Sequence, residues 1–347
     1  MDGLTWIVSN IVLASLIAAA ALIVQRRLHE PAVAHFLWVF VLVKLVTPPL
    51  IEVPLWESRK SPCELGTCSC GPHSPAVADS KWQTALIGVW LTGGLVSAWR
   101  AGRRWVEFRR LLGDAAPAPI QLQTMMSRAA NDLNLRCEPN FLVTTARIPP
   151  FVAAGWPTAN LVAPGALFIE LTREQCTALL LHELTHIKRG DHLIRILETL
   201  VRTIFWWLPG LGWIGRQIRT CEEACCDAAV VSRRPKARRD YARLLLDVVD
   251  FSAPLQARTI TAMNAAGVLE QRLRTILAQS PGLHTRRRRM ACALATLALV
   301  ATPLALRCDW SHVFRPPHAA ATEAPAAVPW AADRCETPAL KFACCPP

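Results

Sequence analysis

Charge is scarce in this chain. Only 18% of its 347 residues are Asp, Glu, Lys or Arg, while 52% are hydrophobic. That balance excludes an ordinary soluble protein and assigns part of the apolar mass to lipid. No internal repeat is present, which excludes a solenoid or bladed architecture. The basic clusters are not interleaved with aromatic residues, as a nucleic-acid groove requires, so direct nucleic-acid binding is not expected. The first apolar stretch has no basic residue ahead of it and no small-residue cleavage site after it, which argues against a cleaved signal peptide.

The charge that is present has a definite location. The formal net charge is +12, and 28 of the 38 Lys and Arg residues lie between Arg100 and Arg289 against 16 acidic residues, so this section carries the whole surplus. Four apolar stretches frame it. Leu4–Val24 runs 21 residues without a charge and is closed by Arg26 and Arg27; as a helix it would span about 31 Å, the hydrocarbon thickness of a bilayer. Val33–Ile51 is interrupted only by Lys44 and is finished by Pro48 and Pro49, which stop a helix. Trp82–Trp99 is followed by Arg100, Arg103, Arg104, Arg109 and Arg110, and Met290–Leu306 is preceded by Arg286–Arg289. Basic collars are retained on the cytoplasmic side, and all of these agree with one topology, with the amino terminus outside and Arg100–Arg289 inside.

The expected architecture is mainly α. Four transmembrane helices in the inner membrane of a bacterium would carry a cytoplasmic α+β domain, residues 100–289, inserted between the third and fourth spans. Residues 1–51 would hold the first two helices, 52–81 an outer loop rich in Cys, and 82–99 and 290–306 the remaining spans. Residues 307–347 form an outer Ala/Pro-rich tail with no hydrophobic period, expected to be disordered because it is too small for a core of its own.

This topology sorts the 13 cysteines. Cys63, Cys68, Cys70, Cys308, Cys335, Cys344 and Cys345 fall outside, where disulfides persist; Cys137, Cys176, Cys221, Cys225 and Cys226 fall in a reducing compartment, and Cys292 in the membrane. Seven outer thiols cannot all pair within one chain, so either one is free or two copies crosslink as a homodimer. Cys63, Cys68, Cys70 and His73 are an alternative metal-binding grouping.

Within the central section, Thr172–Lys188 (TREQCTALLLHELTHIK) reads as a helix, with Thr172 and Gln175 spaced as a capping box and Gly190 beyond its end. His182 and His186 are four apart and share a face, so two imidazoles can reach one zinc ion. Glu183 beside them can take a proton from water and deliver one to a leaving amine. A catalytic zinc needs a third protein ligand, which the segment CEEACCDAAV can supply. Glu223 and Asp227 are four apart and begin 37 residues after His186. Glu223 is preferred to Glu222, which faces about 100° away and has no carboxylate four residues on. Asp227 would accept the second N–H of a ligating imidazole. Asp191 has two readings, a cap for the helix beginning DHLIRILETL or a support for the metal site. Cys221, Cys225 and Cys226 read as small buried side chains instead of thiolate ligands. Phe141–Pro164, punctuated by Gly155, Pro157 and Asn160, reads as short strands, one of which could bind an extended peptide by edge pairing.

The segments IPPFVAAGWPTANLVAP, HELTHIKRGD, FWWLPGLGW and EEACCD, in that order, resemble the BlaR/MecR family of membrane-embedded zinc metallopeptidases. The resemblance implies a gluzincin-type domain with one zinc ion on His182, His186 and Glu223, and Glu183 as the base. The Glu-x-x-x-Asp spacing is also similar to that of HtpX-type membrane peptidases, in which the aspartate, here Asp227, supports a zinc-bound histidine. A further implication is a protein substrate, a winged-helix transcriptional repressor, whose cleavage releases genes such as antibiotic-resistance determinants. Sensor members of the family carry an outer penicillin-binding domain; no Ser-x-x-Lys follows the fourth apolar stretch, so direct β-lactam sensing is not expected. Two other functions fit the same residues: a quality-control protease of membrane proteins, and a non-catalytic membrane signalling protein with a degenerate site.

Overall fold

The structure, a computed structural model, describes residues 3–47, 51–54, 80–155, 158–256, 261–278, 285–301 and 304–307. Helix α1 (Gly3–Ile23) runs on as a π-helical turn over Val24–Leu28. The chain then reverses at His29, whose φ of 56° is left-handed. Helix α2 (Pro31–Val46) starts on a proline, where the missing N–H would have been unpaired in any case. It stops short of the apolar stretch that encodes it. Thr47 turns extended, with ψ 130°, the conformation forced on a residue that precedes proline, and Ile51–Pro54 is a strand, β1.

Helix α3 (Ser80–Gly113) carries the third apolar stretch and its arginine collar without a break. A small sheet follows. Its strands are β2 (Ala116–Pro117), β3 (Asn140–Thr144), β4 (Phe151–Ala153) and β5 (Asn160–Pro164), with α4 (Ile120–Asp132) between the first two. The order is β2-β3-β5-β4, with β3 and β5 parallel and the outer pairings antiparallel. The short strands expected within 141–164 are therefore present, and β4 is an edge. Among the described residues, seven α-helices follow: α5 (Gly165–Glu170), α6 (Arg173–Arg189), α7 (Asp191–Ile204), α8 (Leu211–Arg233), α9 (Arg238–Gln256), α10 (Thr261–Ala278) and α11 (Thr285–Ala301). The last strand, β6 (Leu304–Arg307), pairs in parallel with β1.

The architecture is mainly α. Among the described residues one helix, Ile7–Leu28, is long and apolar enough to cross a membrane, and Pro31–Val46 is an apolar helix of shorter length. The expected outer loop with Cys63, Cys68, Cys70 and His73, and the tail beyond Arg307, lie outside the described residues. Six cysteines that are described, Cys137, Cys176, Cys221, Cys225, Cys226 and Cys292, are free thiols.

Two buried clusters hold the molecule. One joins the sheet to α4, α6 and α9 through Met126, Leu161, Leu180, Leu184 and Leu244. The other joins α1, α2, α7 and α11 through Ile17, Leu37, Trp38, Leu42, Val201 and Ala291. Helix α8 belongs to both, with Ile214, Ile218 and Cys221 in the second and Val230 and Val231 in the first. Each fully buried aliphatic side chain is worth about 1.5–3 kcal/mol, so α8 is pinned at both ends. The EEACCD segment is thereby set at the junction between the apolar helices and the sheet-bearing core. Gly215 permits the close approach of α7, since a methyl there would collide with the buried Glu198 carboxylate.

Candidate active site

Helix α6 is locally specified at both ends. The Thr172 hydroxyl accepts from the Gln175 N–H at 3.3 Å while the Gln175 carbonyl accepts from the Thr172 N–H at 2.9 Å, closing the capping box. At the other end Gly190 takes φ 74°, a left-handed cap that a residue with Cβ adopts only at a cost. Between these caps α6 buries Leu180, Leu181 and Leu184, and with them His182, Glu183 and Thr185.

His182 and His186 stand one turn apart with ring centroids 5.0 Å from each other. Glu223 on α8 faces both. Its Oε2 is 3.4 Å from His182 Nε2 and its Oε1 is 3.7 Å from His186 Nε2. The three expected ligands each offer a donor atom within 4.8 Å of the others, close enough to converge on one metal ion. Glu222, by contrast, turns its carboxylate to His35 and Arg195.

The far sides of the two rings are anchored. His186 Nδ1 lies 2.7 Å from Asp191 Oδ2. Asp191 makes no side-chain cap to α7; of its two readings, the structure shows the contact with the imidazole. His182 Nδ1 lies 2.8 Å from the hydroxyl of Tyr241, which donates to Asp227 Oδ1 at 2.6 Å. Asp227 Oδ1 is itself 3.4 Å from His182 Nδ1, so Tyr241 stands where a direct carboxylate contact was expected. With the hydroxyl proton committed to Asp227, His182 Nδ1 must be the donor to the phenol oxygen. The Nδ1 atoms of both imidazoles are thus engaged from behind, which leaves both Nε2 atoms facing Glu223.

Arg272, from α10, closes the arrangement. It bridges Glu223 Oε2 at 2.8 Å and both oxygens of Asp227 at 2.8 Å. The pocket favours positive charge. Burial opposes a charge on His186, yet hydrogen bonds to Asp191 and Cys226 outweigh it and hold its pKa up, to about 12. Burial would raise the Glu223 pKa, but His182 and Arg272 hold the carboxyl well below the usual range. Glu183 is pushed the other way: burial raises its pKa against the pull of the two imidazoles, which brings a carboxylate toward the range useful to a general base. Burial and Asp227 keep Tyr241 protonated. Burial lifts the Cys221 and Cys226 thiols to about 12, which disfavours the thiolate that a metal would need.

Sequence reasoning did not single out His35, Tyr241 or Arg272. Two of them left a trace. Tyr241 is the chain's single tyrosine, and Arg272 interrupts the apolar spacing Leu269, Leu273, Ile276 on α10.

Two imidazoles and a glutamate converge across two helices, with a buried carboxyl adjoining, in a donor set that could hold a metal ion. The family model for BlaR1 peptidase M56 matches residues 4–276, and the chain belongs to that family, one of membrane-associated peptidases and regulators. A curated relative, the regulatory protein BlaR1 of Bacillus licheniformis, is 33% identical over 63 residues, 18% of this chain and 10% of that protein. The matched stretch thus spans about a tenth of the relative's length.

Proposed function

We propose that the chain is an integral membrane zinc endopeptidase whose ligands are His182, His186 and Glu223 and whose general base is Glu183. The observation that carries this reading is the pair of Nε2 atoms at 3.4 and 3.7 Å from one carboxylate, each imidazole held from behind by a hydrogen bond. Such anchoring fixes tautomer and direction before any ion arrives. When bound, zinc would polarise the scissile carbonyl and make water more acidic. Glu183 takes a proton from the attacking water and delivers it to the departing amine, which releases the two peptide fragments. Asp191 and the Tyr241–Asp227 pair hold the two rings, and Arg272 keeps Glu223 ionised. The free edge of β4, packed near α6, offers an extended substrate a strand to pair with.

The topology of four spans, with the peptidase site on the cytoplasmic side, is supported by the arginine collars and by the parallel pairing of β1 with β6, which brings the ends of α2 and α11 to one side. Family membership favours a regulatory role, with a winged-helix repressor as substrate. The test is co-expression of the full chain with the small winged-helix regulator encoded nearest to it. The wild type should yield defined fragments, and Glu183→Gln should hold the regulator uncut in a complex. Equal cleavage by the Glu183→Gln variant would refute the proposal.

A further inference from the structure

The second apolar helix reaches the metal site. His35, one turn into α2, places Nε2 at 3.4 Å from Glu222 Oε1 and 4.0 Å from Asp191 Oδ1. Its side chain is largely buried, and so are both carboxylates. Glu222 has Arg195 as its other partner. Asp191 Oδ2 binds the His186 ring, whereas Asp191 Oδ1, apart from an ion pair with Arg189 Nε at 3.3 Å, has no hydrogen-bond partner. A buried carboxylate oxygen without a donor is costly, and the imidazole of His35 is the neighbouring group aimed at it.

We infer that His35 is a positioning residue for the metal site, acting through Asp191 to set the His186 imidazole and so making α2 part of the peptidase. This inference rests on the proposed ligand set of His182, His186 and Glu223. His35 Nε2, in contact with Glu222 at 3.4 Å and 4.0 Å from Asp191 Oδ1, forms the polar wall against which the Asp191 carboxylate lies, and that carboxylate holds the His186 ring at 2.7 Å. The path runs from α2 to His35, to Asp191 and to His186. A shift of α2 along its axis by about an ångström would convert the 4.0 Å approach into a hydrogen bond of ordinary length, or break it altogether.

A second reading of the same side chains fails on charge. His35, Asp191 and Glu222 have ligand atoms close enough to hold an ion of their own, but Arg195 already neutralises Glu222 and Arg189 flanks Asp191. A dication there would face two guanidinium groups.

The experiment is metal affinity of the full chain in detergent, by chelator competition, together with the absorption spectrum of the cobalt-loaded protein. His35→Phe keeps volume and removes the donor; His35→Gln keeps a donor. Asp191→Ala should weaken binding about 10–100-fold, His35→Phe about 3–10-fold with a changed cobalt spectrum, and His35→Gln less than about twofold. In the Asp191→Ala background His35→Phe should add nothing, since both act on one path. This comparison serves also where His35→Phe alone accumulates poorly. Unchanged affinity and spectrum in His35→Phe, additive losses, or a second bound metal that vanishes with His35 would each overturn the inference. Should His182→Ala bind metal as the wild type does, the ligand set itself is wrong, and that result is distinct from all of these.

Discussion

The two imidazoles of the site are held in opposite ways. His186 is anchored by Asp191, five residues along the same stretch of chain and just past the Gly190 turn. His182 is anchored by Tyr241, 59 residues away, which is oriented by Asp227 and, through it, by Arg272. One support comes with the helix; the other exists only after α8, α9 and α10 have assembled around it. The local anchor is a single charged contact. The distant one is a network in which each member has more than one partner, so its links can partly substitute for one another.

That difference can be broken at its strongest point first. Glu183→Gln leaves ligands and anchors in place and should lower kcat by about 10²–10⁴-fold while zinc content stays at the wild-type level. Next in size is Arg272→Ala. It strips the cation shared by Glu223 and Asp227, and leaving the buried Asp227 carboxylate without its partner costs about 3–5 kcal/mol. A large fall in the midpoint of thermal unfolding, with weakened metal binding, is expected. Asp191→Ala removes the carboxylate 2.7 Å from His186 Nδ1 and should weaken metal binding about 10–100-fold. Tyr241→Phe should weaken it less, by about 3–10-fold, because Asp227 stays fixed by Arg272 and lies 3.4 Å from His182 Nδ1. Chelator competition on the two variants side by side decides that order, and a Tyr241→Phe loss larger than that of Asp191→Ala would reverse the comparison. Smallest is Thr172→Ala, which opens the capping box and should cost about 1 kcal/mol of stability with no effect on metal affinity.

The same contrast explains what could be read from the residues alone. His182, Glu183, His186 and the Glu223–Asp227 pair were legible because helical periodicity places residues four apart on one face, and because capping signals are local. The choice of Glu223 over Glu222 followed from that geometry, and the structure shows where the rejected residue goes: into a buried contact with His35 and Arg195. Asp191 was half legible, since a carboxylate after a glycine cap suits either a helix start or an imidazole. Tyr241 and Arg272 were not legible, because their roles depend on how α9 and α10 fold back on α8, and nothing in a single helix period encodes that return. The apolar stretches announced helices but not their ends. Val33–Ile51 gives a helix only to Val46 because prolines follow Thr47, and Met290–Leu306 gives a helix to Ala301 followed by β6.

The most direct test of the ligand set is the zinc content of the purified full-length chain, measured by mass spectrometry for the wild type, Glu223→Ala and Glu222→Gln. One ion per wild-type chain, lost in Glu223→Ala and retained in Glu222→Gln, is the predicted result; zinc retained by Glu223→Ala would contradict it.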